Sequence, residues 1–249
     1  MESDEIKAAI RHGIRYMSPY ARDEPTVGRY RGSEIGFCKR KIFFSRFFPI
    51  DRKPNLPMFQ GSCFTEALPS IFKASESDLV GAAVEIPVES THHTEQGRKF
   101  NVFGHCDGVL PNEAFEFKFS GVRLQSGDPL PYYYFSQANF YAVEQNKPLF
   151  HLVAVERIRK KEWEIGQHVK VISHEADHDA YGTLMQRVGE IHDAVCEGTP
   201  PDKDPIAKWE CGYCDYKDWC KLYEGVDKID AKPLIGNHDT MMDALTKGR

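Results

Sequence analysis

The segment 113–119, which reads EAFEFKF, constrains the fold most because its residues alternate strictly between two kinds. Successive side chains of a β-strand point to opposite faces, so Phe115, Phe117 and Phe119 share one face. Glu116 and Lys118 share the other face. The phenylalanines indicate burial on their side and leave a cleft or solvent on the opposite side. The pattern therefore predicts a strand that presents a carboxylate and an ammonium together.

Further strands and helices follow from hydrophobic periodicity elsewhere in the chain. Alternating or continuous apolar residues predict strands at 84–88, 99–110 and 149–157, and a further strand or strand pair at 163–172. The first two strands are joined by a predicted turn at 95–97. Apolar stripes at helical spacing predict helices at 4–17 and 175–197, and Gly198 ends the second. Ser33 as a cap predicts a short helix at 33–46. Residues 58–75, interrupted near Pro69, and residues 132–145 also fit helices. The sequence therefore predicts an α/β fold.

Composition limits the class of protein. Of the 249 residues, 41% are hydrophobic and 28% are charged, which is typical of a globular domain and favours neither a disordered nor a fibrous chain. No stretch approaches the roughly 20 apolar residues of a membrane span, and the first residues, MESDEIKAAI, lack a basic leader and an apolar signal core. We therefore expect a cytoplasmic protein with no membrane partner. The net charge of −5 means that DNA binding requires a local basic or metal-lined groove.

Two acidic residues on neighbouring predicted strands suggest hydrolytic chemistry. Asp107 follows a glycine at a strand bend, and Glu116 lies nine residues later, so a hairpin brings both carboxylates towards one metal ion. Phosphodiester hydrolysis needs a metal to activate water, and Mg2+ and Mn2+ prefer carboxylate oxygen. Lys118 is placed to hold the attacking water or stabilise developing negative charge. The alternative is an ordinary solvated strand face with Asp107 in a turn.

These residues resemble the PD-(D/E)xK nuclease superfamily, in which an Asp on one strand precedes Glu-x-Lys on the next. The matching segments are Gly104-His105-Cys106-Asp107 and Glu116-Phe117-Lys118. Gln137 and Tyr141, four residues apart on a predicted helix, resemble the Gln-x-x-x-Tyr of the RecB-like branch. The resemblance implies a restriction-endonuclease-like core, with a central mixed β-sheet flanked by helices. It also implies catalytic roles for Asp107, Glu116, Lys118, Gln137 and Tyr141, with Asp107 and Glu116 as metal ligands.

One position departs from the RecB-like pattern. That branch often has Gly-x-x-x-His on an early helix, and the matching stretch here begins at Gly61 and has Thr65 in place of the His. A hydroxyl is a weaker metal ligand than imidazole. Glu66 is therefore the candidate for the third acidic contact to the metal, with His105 as a further option and a plain surface role as the alternative for Glu66.

Three of the seven cysteines, Cys211, Cys214 and Cys220, fall within ten residues near the C-terminus. Cysteines spaced in this way in an intracellular chain indicate a zinc or iron–sulfur site, which requires a fourth ligand. The segment around Cys38 resembles the one that carries the first cluster cysteine in CRISPR-associated RecB-like exonucleases and AddB-type nucleases. That resemblance implies a 4Fe-4S cluster held by all four cysteines, with zinc as the alternative. Cys63, Cys106 and Cys196 are expected to be small buried residues.

The cysteine site implies a layout for the chain as one nuclease domain, 1–249. The N-terminal helical region spans 1–57 and the PD-(D/E)xK core spans 58–198. The C-terminal cysteine segment spans 199–223, and the tail spans 224–249. A cluster would join the first region to the third and frame a groove for a DNA strand. Aromatic residues near the cysteines either stack on bases or pack around the cluster. Phosphate contacts are expected from Lys39, Arg40, Lys41 and Arg46.

The resulting functional hypothesis is a Mg2+- or Mn2+-dependent deoxyribonuclease. It predicts an exonuclease or end-processing enzyme acting on DNA that is single-stranded or has free ends. Recombination, phage DNA processing and CRISPR adaptation are the compatible settings. Possible protein partners are those of recombination or of CRISPR adaptation. The alternative, which the absent motif histidine keeps open, is a catalytically weak DNA-end-binding or adaptor protein.

Overall fold

The computed structural model describes most of the predicted core. The described residues are 26–48, 50, 61, 63, 66–70, 82–120, 131–156, 169–205, 208–225 and 229. The predicted helix at 4–17, the tail from 230 onward and Thr65 lie outside them.

Six strands form one mixed sheet among the described residues. They are β1 (Arg29–Arg31), β2 (Ala83–His93), β3 (Lys99–Val109), β4 (Glu113–Ser120), β5 (Leu149–Glu156) and β6 (Val169–Glu175). The order is β1-β3-β4-β5-β6, with β2 also paired to β3. The β1–β3 and β4–β5 pairs are parallel and the other pairs are antiparallel. The prediction of a mixed α/β fold is confirmed.

Helices flank this sheet. They are α1 (Lys39–Ser45), α2 (Tyr132–Glu144), α3 (His178–Glu197), α4 (Lys208–Gly212) and α5 (Lys217–Leu222), and residues 66–70 are also helical. Helix α2 packs on β4 and β5, and α3 packs on α1 and α2. Asp177 caps α3 by accepting a hydrogen bond from the Ala180 N–H at 2.8 Å, and Gly198, with a φ of 71°, ends it. Helix α2 therefore covers the sheet at the strand that carries Glu116 and Lys118.

The predicted helix at 33–46 is wrong in its first half. Turns occupy 32–36, and the helix begins only after Cys38, which is its N-cap. Glu34 Oε1 accepts hydrogen bonds from the Arg31 N–H and from the Arg46 guanidinium, which fixes the turn. A Cβ on Gly36 would approach Tyr133 Cα to 2.8 Å, so the chain passes tightly against α2 at this point. This tertiary contact outweighs local helix propensity.

The most important feature for function is the divergence of β3 from β4. One edge of β3 pairs with β2 from Lys99 to Val109. On the other edge, β1 pairs with 101–103, and β4 pairs only with Gly108 and Val109. No described strand pairs with the intervening residues 104–107 on that edge. The opening leaves room for side chains, and Asp107 lies within it.

Two cysteine predictions and one arginine prediction need correction. Cys106 is fully buried as expected, but Cys63 and Cys196 are exposed. Arg46 cannot contact phosphate as expected, because its side chain is only 1% exposed and is ion-paired with Glu34.

None of the helices in the described part of the chain has the length and apolar character needed to cross a membrane.

Candidate active site

Glu116 and Lys118 lie side by side on the face of β4 that α2 covers. The Glu116 side chain is only 2% exposed, and Lys118 Nζ donates a hydrogen bond to its Oε1. The other oxygen, Oε2, is buried and has no hydrogen-bond partner among the described residues. A buried polar atom without a partner costs free energy, and a bound cation is one group that could satisfy it. The face is thus a closed site rather than an ordinary solvated strand surface.

Asp107 is directed towards this pair from the divergent part of β3. Its Oδ2 accepts a hydrogen bond from the backbone N–H of Phe117 at 2.7 Å, which spans the opening between the two strands. Phe117 separates Glu116 from Lys118 in the sequence, so this bond brings the second carboxylate beside the first. The structure therefore brings together the three residues that the sequence singled out.

The charges of the three side chains are strongly coupled. Burial and the neighbouring Asp107 charge raise the pKa of Glu116 to about 8, although Lys118 opposes the shift. Burial also raises the pKa of Asp107. Burial lowers the pKa of Lys118, but the charges of Glu116 and Asp107 outweigh it and raise the pKa overall. Two carboxylates confined with one ammonium favour an additional cation.

Gln137 and Tyr141 form the wall of the site on α2. They are 6% and 3% exposed, and Gln137 Nε2 donates to the Tyr141 hydroxyl at 3.4 Å. The hydroxyl lies directly over Gly104 of β3, where a Cβ would be only 2.3 Å away. The charge of Glu116 contributes to the raised pKa of Tyr141, after the larger effect of burial. Both side chains are therefore buried, and Tyr141 lies close enough to Glu116 and Asp107 for their charges to raise its pKa.

Glu66 lies farther out than the sequence suggested. Its side chain is exposed on the helical segment 66–70. Its charge contributes to a raised pKa at Glu85 but is not among the causes of the shifts at Asp107 and Glu116. His105 is also exposed. Glu66 therefore belongs to the outer part of the acidic region.

Sequence reasoning missed Glu85, whose charge contributes to the raised pKa of Glu116. Strand β2 was predicted from its apolar residues, so the charged residue between Val84 and Ile86 drew no attention. The β2–β3 register places Glu85 across from Asp107. The predicted turn at 95–97 could have revealed this pairing, because counting outward along both strands from the centre of the turn places Glu85 opposite Asp107.

The donor set suits a hard divalent cation. It offers carboxylate oxygens in a buried setting, including the unpartnered Glu116 Oε2. No three His, Cys, Asp or Glu side chains in the described ranges converge closely enough to form a complete metal site. Asp107 and Glu116 are the residues that would hold Mg2+ or Mn2+.

The segment with Cys38 contacts the C-terminal segment that carries the other three cysteines of the predicted cluster. Cys38 is buried at the start of α1, and its N–H donates to Glu210 Oε1 at 3.0 Å, one residue from Cys211. Arg40 Nη1 donates to the Cys220 sulfur at 3.9 Å. The thiols nevertheless form no ligand set among the described residues. The N-terminal and C-terminal cysteine segments are in contact, whereas a cluster is not shown.

Aromatic stacking, rather than base binding, occupies most of the rings near the cysteines. Phe48 stacks on Trp219 with ring centroids 3.8 Å apart, and Tyr216, only 3% exposed, stacks on Phe44. Tyr213, in contrast, is 84% exposed.

The basic residues of α1 are also engaged. Lys39 pairs with Glu190 at 2.5 Å, Arg40 Nε donates to the Pro201 carbonyl, and Lys41 lies over the Phe37 ring. These contacts stabilise the packing of α1 in the structure.

Comparison with known proteins was informative for the fold. No family model and no curated sequence matches this chain. Among solved structures, the protein SSO0001 aligns with a TM-score of 0.59 at 14% identity, covering 86% of this chain and 95% of that one. The mixed sheet with flanking helices is therefore a fold that this chain shares with SSO0001.

Two exonucleases, represented by three solved structures, are more distant. LHK-Exo, an alkaline exonuclease from Laribacter hongkongensis that was also solved with dAMP, aligns with a TM-score of 0.47 at 12–13% identity. The alignment covers 68% of this chain and 88% of LHK-Exo. A phage-related exonuclease from Haemophilus somnus has a TM-score of 0.38 at 12% identity, covering 68% of this chain and 95% of that chain.

Proposed function

We propose that this protein is a metal-dependent deoxyribonuclease that hydrolyses phosphodiester bonds at Asp107, Glu116 and Lys118. The observation that carries the proposal is the unpartnered Oε2 of the buried Glu116, next to a second carboxylate and an ammonium. A buried acid of this kind is explained by a cation that the site is built to receive.

Each residue has a separate chemical role in this proposal. Bound Mg2+ or Mn2+ would supply Lewis-acid activation of water and neutralisation of phosphate charge. Asp107 and Glu116 would hold that ion. Lys118 stays protonated because the carboxylates raise its pKa, so its ammonium stabilises negative charge on the phosphate. Gln137 and Tyr141 fix the wall opposite β4 and exclude bulk water.

The substrate in this proposal is DNA that is single-stranded or has free ends. A run of tyrosines begins α2 beside the site: the Tyr134 ring lies 5.5 Å from Lys118 Nζ, and Tyr132 is 56% exposed. Exposed aromatic rings stack on unpaired bases irrespective of sequence. An exonuclease or end-processing activity in recombination, phage DNA processing or CRISPR adaptation fits such a substrate.

End-labelled DNA tests the proposal directly. Purified protein is incubated with 5′- and 3′-labelled single-stranded DNA and Mn2+, with a chelator in a parallel reaction. We expect degradation that the chelator and Lys118→Ala abolish. Lys147→Ala, which removes a half-buried lysine whose ammonium bonds only to the Pro111 carbonyl among the described contacts, is the matched control and should be fully active. Equal, negligible degradation by all proteins would leave DNA-end binding as the better function.

We also propose that Cys38, Cys211, Cys214 and Cys220 hold a 4Fe-4S cluster, with zinc as the alternative. Support comes from their thiolate chemistry and from the contact between Cys38 and Glu210, beside Cys211. Iron and sulfide analysis after anaerobic purification tests the cluster. We expect Cys214→Ser to lose iron and the control Cys196→Ser to retain it. Stoichiometric zinc without iron would exclude the cluster.

A further inference from the structure

We propose that Tyr134 is a positioning residue that holds the Lys118 ammonium in the candidate active site. This inference rests on the proposed function, because it assigns a residue of α2 to the lysine of that site. It gives the half-buried Tyr134 ring a protein side chain as its partner, rather than a DNA base.

The surroundings of Lys118 are the first argument. Its side chain is 18% exposed, and two contacts of its ammonium lie within the described part of the chain. One is the hydrogen bond to Glu116 Oε1, and the other is the face of the Tyr134 ring, whose centroid lies 5.5 Å from Nζ. An ammonium within about 6 Å of a ring centroid is attracted by the negative face of the ring. The flexible lysine side chain is therefore held from two directions.

The sheet fixes the place of the ring. Tyr134 packs on Leu152 and Ala154, two residues of β5 that are completely buried. In the β4–β5 register, Leu152 pairs with Glu116 and Ala154 pairs with Lys118. Paired residues of neighbouring strands point to the same face of a sheet. The Tyr134 ring thus lies over the strand next to Lys118, on the face that carries the lysine.

Two further rings support the position of Tyr134. Tyr133 meets Tyr134 edge to face with ring centroids 4.7 Å apart, and Phe37 packs on Tyr133, also at 4.7 Å. A Cβ on Gly36 would lie 2.7 Å from Tyr133 Cβ, so the turn before α1 is pressed against the start of α2. Packing this close leaves the rings little room to move. The turn before α1 therefore supports the tyrosine that faces Lys118.

Exact placement of the ammonium matters for the proposed reaction. Lys118 stabilises negative charge on the phosphate only from the right position, and a displacement of about 1 Å can slow an enzyme greatly. Because Glu116 is also a proposed metal ligand, its oxygens would be shared between the lysine and the cation. The contact with the Tyr134 ring does not depend on that sharing.

Nuclear magnetic resonance of the metal-free protein with carbon-13-labelled lysine tests the contact without relying on activity. Protons above the face of a ring are shifted upfield, so we expect an upfield signal from Lys118, assigned by its absence in Lys118→Arg. Tyr134→Leu should remove the shift, and Tyr134→Phe, which keeps a ring in place, should retain it. Phe135→Leu is the matched control and should leave the signal unchanged, because Phe135 packs on the same two residues of β5 and its ring contacts His174 instead.

Single-turnover cleavage of end-labelled single-stranded DNA in Mn2+ tests the consequence for the reaction. Loss of a cation–π contact in a largely buried setting predicts that Tyr134→Leu cleaves about 5- to 30-fold more slowly. Its DNA affinity in the presence of a chelator should be unchanged. Tyr134→Phe should recover most of the wild-type rate, and Phe135→Leu should cleave at nearly that rate.

The outcomes separate this inference from the proposed function. An unchanged Lys118 signal in Tyr134→Leu, or an equal change in Phe135→Leu, would overturn the positioning role. Weaker DNA binding by Tyr134→Leu with no change in the Lys118 signal would overturn it in favour of base stacking. A wild-type protein that shows the upfield signal but cleaves no DNA would overturn the proposed function, while the contact between Tyr134 and Lys118 would stand.

Discussion

Glu116 is the residue at which burial and function are most directly linked. A carboxyl that is 2% exposed and next to Asp107 is held in an unfavourable setting, and Lys118 compensates at only one of its two oxygens. A divalent cation would satisfy the second oxygen and neutralise the excess charge. Substitutions of Glu116 should therefore change both the stability of the fold and the binding of a metal ion.

The first prediction concerns pH and stability. The pKa of Glu116 rises from 4.5 to about 8 on folding, so the folded chain binds more protons between these values. Stability then falls as pH rises through this window. We expect the Tm of the metal-free protein to fall as the pH rises from about 4.5 to about 8. We expect Glu116→Gln to reduce that fall. Calorimetry in the presence of a chelator measures the Tm at each pH. A Glu116→Gln variant whose Tm depends on pH as in the wild type would contradict the raised pKa of Glu116.

The second prediction concerns the contact between Gly104 and Tyr141. A Cβ at Gly104 would lie 2.3 Å from the tyrosine hydroxyl, so Gly104→Ala should destabilise the fold by about 1–3 kcal/mol in urea unfolding. Adding Tyr141→Phe removes the clashing oxygen and should restore part of the loss.

Gly182 supplies the control for this substitution. It lies in α3 with no atom within 4 Å of an added Cβ, so Gly182→Ala should stabilise by about 0.5–1 kcal/mol. A Gly104→Ala variant as stable as wild type would show that α2 does not pack on β3 in this way.

At the scale of elements, Arg187 connects α3 to the turn before α1. Its guanidinium donates to the carbonyls of Ile35 and Phe37 at 2.8 and 2.5 Å and pairs with Asp204 at 2.8 Å. Lys39 N–H also donates to Asp204. One arginine therefore satisfies backbone groups just before a helix and links them to the segment after α3.

The third prediction follows from these bonds. Arg187→Met should destabilise the fold by about 2–3 kcal/mol, because the carbonyls and Asp204 lose their charged donor. Lys203→Met, which removes the exposed pair with Glu224, is the control and should leave stability unchanged. Chemical denaturation measures both, and equal midpoints would contradict the connecting role of Arg187.

At the scale of the whole molecule, short-range patterns predicted the elements well and long-range contacts poorly. The strand with Glu116 and Lys118, the turn at 95–97 and helix α3 follow from local periodicity and capping. Arg46 was misplaced because its burial depends on Glu34, twelve residues away. Glu85 was missed because its neighbour, Asp107, is set by strand register rather than by nearby residues.

The divergence of β3 and β4 explains why the site could be anticipated only in part. Sequence spacing indicated that Asp107 and Glu116 approach each other, but the opening at 104–107 arises because β1 and β4 share one edge of β3. Tyr141 reaches that edge because Gly104 has no side chain. Such an arrangement depends on three strands and a helix at once, which local patterns do not encode.

The most direct test of the central claim compares cleavage and binding in the same pair of proteins. Single-turnover cleavage of end-labelled single-stranded DNA in Mn2+ is measured for wild type and Glu116→Gln, and DNA affinity is measured for both in chelator. We predict a loss of about 100-fold or more in cleavage rate, with DNA affinity nearly unchanged. Cleavage by Glu116→Gln at the wild-type rate would contradict the assignment of Asp107, Glu116 and Lys118 as the active site.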